Sequence, residues 1–540
     1  MKDISSTGSF INFYLNNYIY VDKTKYIRDL IKLERVFISR PRRFGKSLTL
    51  DTIATLFETG VEPYFKGTWI YDKWTEPTYP VLRLNFLDLD KYSLEHFKQK
   101  LNAIISSFAR DINVKNYEEK VEPEDTIYFL LDELRKEKRQ IVILIDEYDC
   151  QMTANINNET LYKQFQEKIK SFYDTIKNKW PIKFLGITGV TRLKDVEIFS
   201  IGSDINDITN DSVYSQMIGF TRDEIKKYYI DYLKLAASYE NKCRVEEVTD
   251  TQIESMLDMM AQNYDGYCFD EFYKKKVFST WSVNKFFQSV VSNKFVYFGE
   301  YWYDNGGLPS ILVNYLKTHE LNIFEYLDKD KFLKVSSDDF KNPTALTTIN
   351  QNVLMCQTGY LTLRSDLNKT STVALGIPNG EIYKALNRLL ANNIFKGNTD
   401  ITDDYGRSLL EVGTVDDIIN LFNSALNSVS YDNYPIVSES SVQNMLKLYL
   451  LGAHQKVLSE VHEAKGRADL VVNTDNRRIV FEFKYAKNET EAKSKLHDAV
   501  EQIKTRDYGN IVPNKTELLR IAAVFNADPK VRAFTEYQEV

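Results

Sequence analysis

Arg35-Val36-Phe37-Ile38-Ser39-Arg40-Pro41-Arg42-Arg43-Phe44-Gly45-Lys46-Ser47 is the stretch on which the fold turns. Residues 35–39 read as a buried strand, a loop with three arginines follows, and Gly45-Lys46-Ser47 opens a helical pattern from Leu48. Strand, loop, Gly-Lys-Ser and helix is the context of a phosphate-binding loop. Backbone N–H groups at the helix start face phosphate oxygens, with the positive end of the helix dipole behind them. In this reading Lys46 reaches the β- and γ-phosphates of ATP and Ser47 binds Mg²⁺. Gly45 lets the backbone approach without a Cβ, while Arg42 and Arg43 add charge for phosphate or a partner. The loop's first position, glycine in the usual pattern, is Arg40, and Pro41 removes one N–H donor.

A second apolar run, Ile141-Val142-Ile143-Leu144-Ile145, ends in Asp146-Glu147. Ligands of open α/β sheets gather at the carboxyl ends of strands. Asp146 is therefore expected to hold Mg²⁺ through water, and Glu147 to activate the attacking water. Asp149 stands behind them. A third run, Phe184 to Thr188, ends in a polar tip that puts Thr188 or Thr191 near the γ-phosphate. Arg192 is either a charge-stabilising arginine or the structural partner of an acidic residue.

With Val81 to Phe86, these runs alternate with helical patterns at Ser93 to Phe108, Thr126 to Lys136 and Thr160 to Asn178. The alternation predicts an α/β domain over 1–225, a parallel sheet with helices on both faces. Residues 226–430 read as mainly helical, a lid or winged-helix-like region with a strand signal at Gly359 to Leu363. Tyr431 to Ser440 reads as a linker, and 435–540 as a further α/β domain in the order helix, strand, strand, helix, strand.

Composition agrees with a multi-domain globular chain of 540 residues, 43% apolar and 27% charged. Its 21 Gly and 12 Pro fall below ordinary usage of about 7% and 5%, which excludes disordered and collagen-like classes. No run approaches the roughly 18 apolar residues of a membrane span. No apolar signal segment follows Met1, and Cys150, Cys243, Cys268 and Cys356 share no metal or redox spacing. A cytoplasmic location follows. The net charge of −7 argues against a protein coated in nucleic acid but leaves a local groove open.

Different chemistry begins near residue 439. Arg467-Ala468-Asp469-Leu470 precedes the strand pattern Arg478 to Phe483, which carries Phe481-Glu482-Phe483-Lys484. Strand alternation puts Glu482 and Lys484 on one face, where Asp469 of a neighbouring strand meets them. Asp469 and Glu482 suit one or two Mg²⁺ (or Mn²⁺) ions, with Glu439 completing the set from the preceding helix. Lys484 would position or help deprotonate a hydrolytic water and counter the developing phosphorane charge. Gln502 and Tyr508 are expected as supports, and Lys504 and Arg506 as backbone contacts for nucleic acid.

These motifs, with Tyr20-Val21-Asp22-Lys23-Thr24, Tyr264-Asp265-Gly266-Tyr267 and Gly359-Tyr360-Leu361, resemble bacterial AAA-ATPase-like proteins that carry a C-terminal PD-(D/E)XK nuclease-superfamily domain. The resemblance spans nearly the whole chain. It implies a P-loop NTPase sheet followed by a restriction-endonuclease-like domain. It also implies that Arg40 is usual at its position and that Ala468 is tolerated where the motif's name has Pro. Tyr20, Asp22 and Lys23 are expected at the nucleotide pocket, Asp22 equally as a helix cap.

The leading expectation is an ATP-binding and hydrolysing module coupled to a Mg²⁺-dependent nuclease acting on DNA or RNA. The alternative is a nucleotide-dependent interaction switch whose last domain binds nucleic acid or protein without cutting. A homo-oligomer, in which a second copy's arginine completes the ATP site, stays open.

Overall fold

The computed structural model describes residues 1–177, 179–193, 205–302, 310–316, 319, 323–343, 345–395, 404–453, 456–463, 466–508 and 517–540. It divides into two compact units, Met1–His319 with Phe332–Ile382 and Glu320–Lys331 with Tyr383–Val540.

The first unit is built on a five-stranded sheet of β1 (Arg35–Ser39), β2 (Val81–Asn85), β3 (Ile141–Asp146), β4 (Ile182–Gly189) and β5 (Asn206–Asp207). All pairs are parallel and the order is β2-β3-β4-β1-β5. Every residue of β1 is buried, as are Ile141 to Ile145 of β3, the pattern of strands covered on both faces. Strand β4 lies between β1 and β3, pairing Ser39 with Gly189 and Ile145 with Ile187. The polar ends of all three strands thus converge at one edge.

Helix Lys46–Thr59 buries Leu50, Ile53, Leu56 and Phe57 and packs on β2, β3 and β4. Helices Leu94–Asp111, Pro123–Lys136 and Glu159–Ile176 pack against one another. Pro123 at the first turn, with Glu124 and Asp125, and Arg135 and Lys136 in the last turn suit the helix dipole. The expected helix end at Asn178 lies outside the described residues.

Helices Arg222–Tyr228, Ile230–Asn241, Asp250–Tyr264 and Thr280–Asn293 follow. Their core contains Tyr229, Leu233, Met256, Phe286 and Phe287, and it also takes in Ile19 and Val21 from the N-terminal segment. That shared core is why the expected division at residue 225 is not a boundary between compact units. A small antiparallel sheet, β6 (Leu333–Ser336), β7 (Thr362–Leu363) and β8 (Thr372–Gly376), has the order β6-β8-β7 and closes the unit.

The second unit centres on β9 (Lys456–Glu463), β10 (Gly466–Asn473), β11 (Arg477–Ala486), β12 (Glu517–Asn526) and β13 (Ala533–Glu539), ordered β13-β12-β11-β10-β9. Only β11 and β12 run parallel, joined through helix Glu489–Arg506. Strands β9 and β13 are additions to the expected order. Both are edge strands rich in polar residues, so neither carries the apolar run that marks a central strand. One face of the sheet stacks Phe481 on Phe483, with Phe422 and Phe534 beside them. The other takes Ala499, Val500 and Ile503 of the helix against Val471 and Val480. No helix among the described residues is long and apolar enough to cross a membrane.

Candidate active sites

The loop after β1 folds around its own lysine. Gly45, at φ +106°, precedes the helix and turns the chain in a conformation that L side chains rarely adopt. Lys46, only 4% exposed, donates from Nζ to the carbonyls of Arg40 (3.1 Å) and Pro41 (3.3 Å) and stands 3.7 Å from Glu147 Oε1. Ser47 Oγ donates to Asp146 Oδ2 at 2.6 Å, and Thr188 Oγ1 donates to Asp146 Oδ1. The ends of β1, β3 and β4 therefore meet through Ser47, Asp146 and Thr188, an arrangement set by the position of β4.

Glu147 sits at φ +53°, where a non-glycine residue is uncommon. Burial raises its carboxyl above the ordinary value, with Asp149 and Asp146 adding to the shift and Lys46 opposing it. Asp149 is buried and accepts from the N–H groups of Thr191 (2.7 Å) and Val190 (3.3 Å) and from the Thr191 hydroxyl. Tyr148 donates to the Thr191 carbonyl at 3.0 Å. Asp149 and Tyr148 thus pin the tip of β4 to the turn after β3 and hold Glu147 in its strained conformation.

A cavity of about 350 Å³ opens from the loop. Arg42, Gly45, Lys46, Ser47 and Glu147 line one side; Tyr20, Ile218, Phe220, Trp281 and Asn284 line the other. Arg43 lies 4.4 Å over the Trp281 ring, and Thr280 donates to its carbonyl at 2.9 Å. Thr280, Trp281 and Asn284 carried no local signal, because only folding brings their helix to the loop. Lys23 also lines the cavity, but its Nζ is held by Glu224 (2.6 Å) and the Gln216 carbonyl (2.8 Å). Asp22 does not line this cavity and is not the helix cap, which is Lys23; it accepts from the N–H groups of Thr24 and Trp69, tying the helix start to a distant segment.

Arg192 is not brought to this cavity. Its Nε lies 2.5 Å from Asp207 of β5, and it lines a separate small cavity with Arg40. Arg40 is buried, donates to the carbonyls of Ser39 and Thr209, and stacks over Phe269 at 4.1 Å. Burial lowers its pKa to about 9.

In the second unit, Leu470 of β10 pairs with Phe481 of β11, which brings Asp469 beside Glu482. Asp469 Oδ2 accepts from the Phe483 N–H at 2.8 Å, and Gln443 donates to the Asp469 carbonyl. Glu482 is fully buried; Lys484 Nζ donates to its Oε1 at 2.8 Å, and its Oε2 has no hydrogen-bond partner. Burial, with help from Asp469, pushes the Glu482 carboxyl up to about 7 against the pull of Lys484. Burial acts to lower Lys484, but Glu482, Glu439 and Asp469 outweigh it and its pKa is raised.

Lys484 Nζ donates to Glu482 Oε1 and to the Phe483 carbonyl (3.1 Å), and its raised pKa favours the ammonium form. Glu439 meets Lys484 Nζ at 3.4 Å. Among the described residues, no three His, Cys, Asp or Glu side chains form a group suited to one metal ion. The Asp469–Glu482 pair, with the partnerless Glu482 Oε2, still fits a divalent cation that keeps several waters. Gln502 and Arg506 both donate to the buried Tyr508 hydroxyl, so Arg506 is engaged in packing this end of the helix.

Comparison with known proteins finds one family match in each unit. Residues 5–199 match the model of a family described as predicted AAA-ATPase, and residues 437–535 match that of the PD-(D/E)XK nuclease superfamily. The chain carries an AAA-ATPase-like domain at its N-terminus and a PD-(D/E)XK nuclease-superfamily domain at its C-terminus. It is 25% identical over 532 residues to an uncharacterized protein in the vnfD 5' region of Azotobacter chroococcum mcd 1, covering 95% of this chain and 94% of that one. Among solved structures, Cdc6p from Pyrobaculum aerophilum aligns over 72% of this chain and 99% of its own, at 10% identity and a TM-score of 0.25. The Aeropyrum pernix Orc1 protein in complex with DNA aligns over 69% and 95%, at 10% identity and a TM-score of 0.26. Scores this low bear on neither fold nor function.

Proposed function

We propose that the first unit binds and hydrolyses ATP and that the second is a Mg²⁺-dependent phosphodiesterase acting on DNA or RNA under control of the nucleotide state. The observation that carries the reading is the buried Glu482, joined to Lys484 through one oxygen while the other lies partnerless beside Asp469. A buried carboxylate oxygen left without a partner is costly unless a further group claims it.

In the first unit Lys46 would grip the triphosphate, Ser47 and Asp146 would hold Mg²⁺, and Glu147 would take the proton of the attacking water. Burial raises its pKa, which makes its carboxylate a better proton acceptor than an exposed one. Arg42 and Arg43 supply positive charge at the cavity rim, and Thr188 orients Asp146. In the second unit Asp469 and Glu482 would hold the divalent ion, which polarises the scissile phosphate when bound. Lys484 donates hydrogen bonds to the charge that develops on the phosphoryl oxygens.

The test is incubation of the full chain with plasmid, single-stranded DNA and RNA, with Mg²⁺ or Mn²⁺ and with or without ATP. Cleavage that Lys484→Ala abolishes while ATP hydrolysis continues is the expected result. Binding without cleavage under every condition would favour an interaction switch instead.

A further inference from the structure

We propose that the loop Asp270–Lys276 of the first unit is a contact surface for single-stranded nucleic acid, a reading that rests on the ATPase–nuclease assignment above. Asp270 is fully buried, and its carboxylate accepts from the N–H groups of Phe272 (3.1 Å), Lys274 (2.9 Å) and Lys275 (3.0 Å). Three bonds from one carboxylate fix the turn, and Tyr273 is held at φ +55°. Backbone bonds from Glu271 N–H to the Asn210 carbonyl (2.9 Å) and from Leu367 N–H to the Glu271 carbonyl (2.8 Å) tie the loop down on both sides. A left-handed tyrosine stabilised by a buried acid is strain kept in place by its surroundings.

What this frame presents is a ring flanked by cations. Phe272 is 42% exposed, and Lys274 and Lys276 are both exposed. Lys275, by contrast, turns back and donates to the Ser212 carbonyl at 2.8 Å. Lys274 Nζ stands 5.7 Å from the Phe272 ring and Lys276 Nζ 5.2 Å from the Tyr273 ring. Neither Lys274 nor Lys276 forms a close ion pair among the described residues, although the charge of Lys276 acts on the Asp265 carboxyl; Lys163, Lys226 and Lys493 are each paired directly with a glutamate. The carboxylate facing the loop from its own backbone, Glu271, accepts from Asn368 at 3.1 Å.

Exposed cations outside close ion pairs match phosphodiesters, and an exposed ring on a stiff turn matches the face of an unstacked base. An acidic protein surface would use the lysines alone. The loop's root is equally fixed: Tyr267 and Phe269 pack their rings on Phe44 of the phosphate loop at 4.7 and 5.5 Å.

The experiment is fluorescence anisotropy of the full chain with labelled single strands of about 20 nucleotides, DNA and RNA, titrated with salt in EDTA. Lys274→Ala combined with Lys276→Ala is expected to reduce the slope of log affinity against log salt by about 1.4, or about 0.7 per lost phosphate contact. Phe272→Ala is expected to weaken binding about 5-fold or more with the slope unchanged. Lys163→Ala, on a different helix, should change neither. Unchanged affinity in both loop variants, or no binding by the unaltered chain, overturns the proposal. Loss in the lysine variant alone overturns the single-strand assignment in favour of a general polyanion surface. Metal-free binding does not depend on cleavage, so failure here and failure of the nuclease reading are separate results.

Discussion

Gly359 stands directly against Pro41: a Cβ on the glycine would lie 2.9 Å from Pro41 Cβ, and its backbone sits at φ +93°. The small-sheet region and the phosphate loop are thus in contact through a position with no room for a side chain. Gly359→Ala should displace the loop, weaken ATP binding about 10-fold and cost about 1–3 kcal/mol of stability. Titration with a non-hydrolysable ATP analogue and denaturant unfolding measure the two effects. Unaltered affinity would show that the loop tolerates the shift.

Glu147→Gln keeps the shape of a buried side chain and removes its proton acceptor. ATP hydrolysis should fall about 10²–10⁴-fold while ATP binding persists. Phosphate release and equilibrium binding, measured on the same preparation, decide it; hydrolysis at the original rate would take Glu147 out of the mechanism.

Thr188→Val deletes the hydroxyl that donates to Asp146 Oδ1. Asp146 then keeps Ser47 and the Glu147 N–H as donors. The Mg²⁺ concentration for half-maximal hydrolysis should rise about 3- to 10-fold, the equivalent of one lost hydrogen bond. An unshifted Mg²⁺ dependence would leave Thr188 as a packing residue.

Glu482 makes the second unit sensitive to pH. The folded carboxyl keeps its proton up to about pH 7, whereas its ordinary value is 4.5. Between those limits the folded state binds more protons, so its stability is complete below 4.5 and declines by about 3 kcal/mol as pH rises through 7. Glu482→Gln should flatten that decline, read by denaturant unfolding at acid and alkaline pH. Cleavage should run the opposite way, rising with pH through about 7 as the carboxylate becomes free to hold a cation. A cleavage profile flat across that range would detach Glu482 from the reaction.

The sequence was most readable where physics is local. Strands covered on both faces leave uninterrupted apolar runs, so β1, β3 and β4 and the polar residues at their tips could be found directly. Glu482 and Lys484 share a face by strand alternation alone. What could not be read depends on tertiary placement. Trp281 and Thr280 reach the phosphate loop from more than two hundred residues away in sequence, with no periodic mark. Arg192 could be a catalytic cation or an ion-pair partner until Asp207 appeared beside it, and β5 is two residues long. The compact units also cut across the expected segments, because Ile19 and Val21 help build a core from helices that begin two hundred residues later.

Arg40 occupies the place where a glycine is usual, and its guanidinium fills space between the Thr209 carbonyl and the face of Phe269. Reverting it to the common residue would not repair the loop. It would hollow out the wall behind the lysine-gripping turn and strip the Thr209 carbonyl of its arginine donor, so the variant nearest the common phosphate-loop pattern should be the worse nucleotide binder.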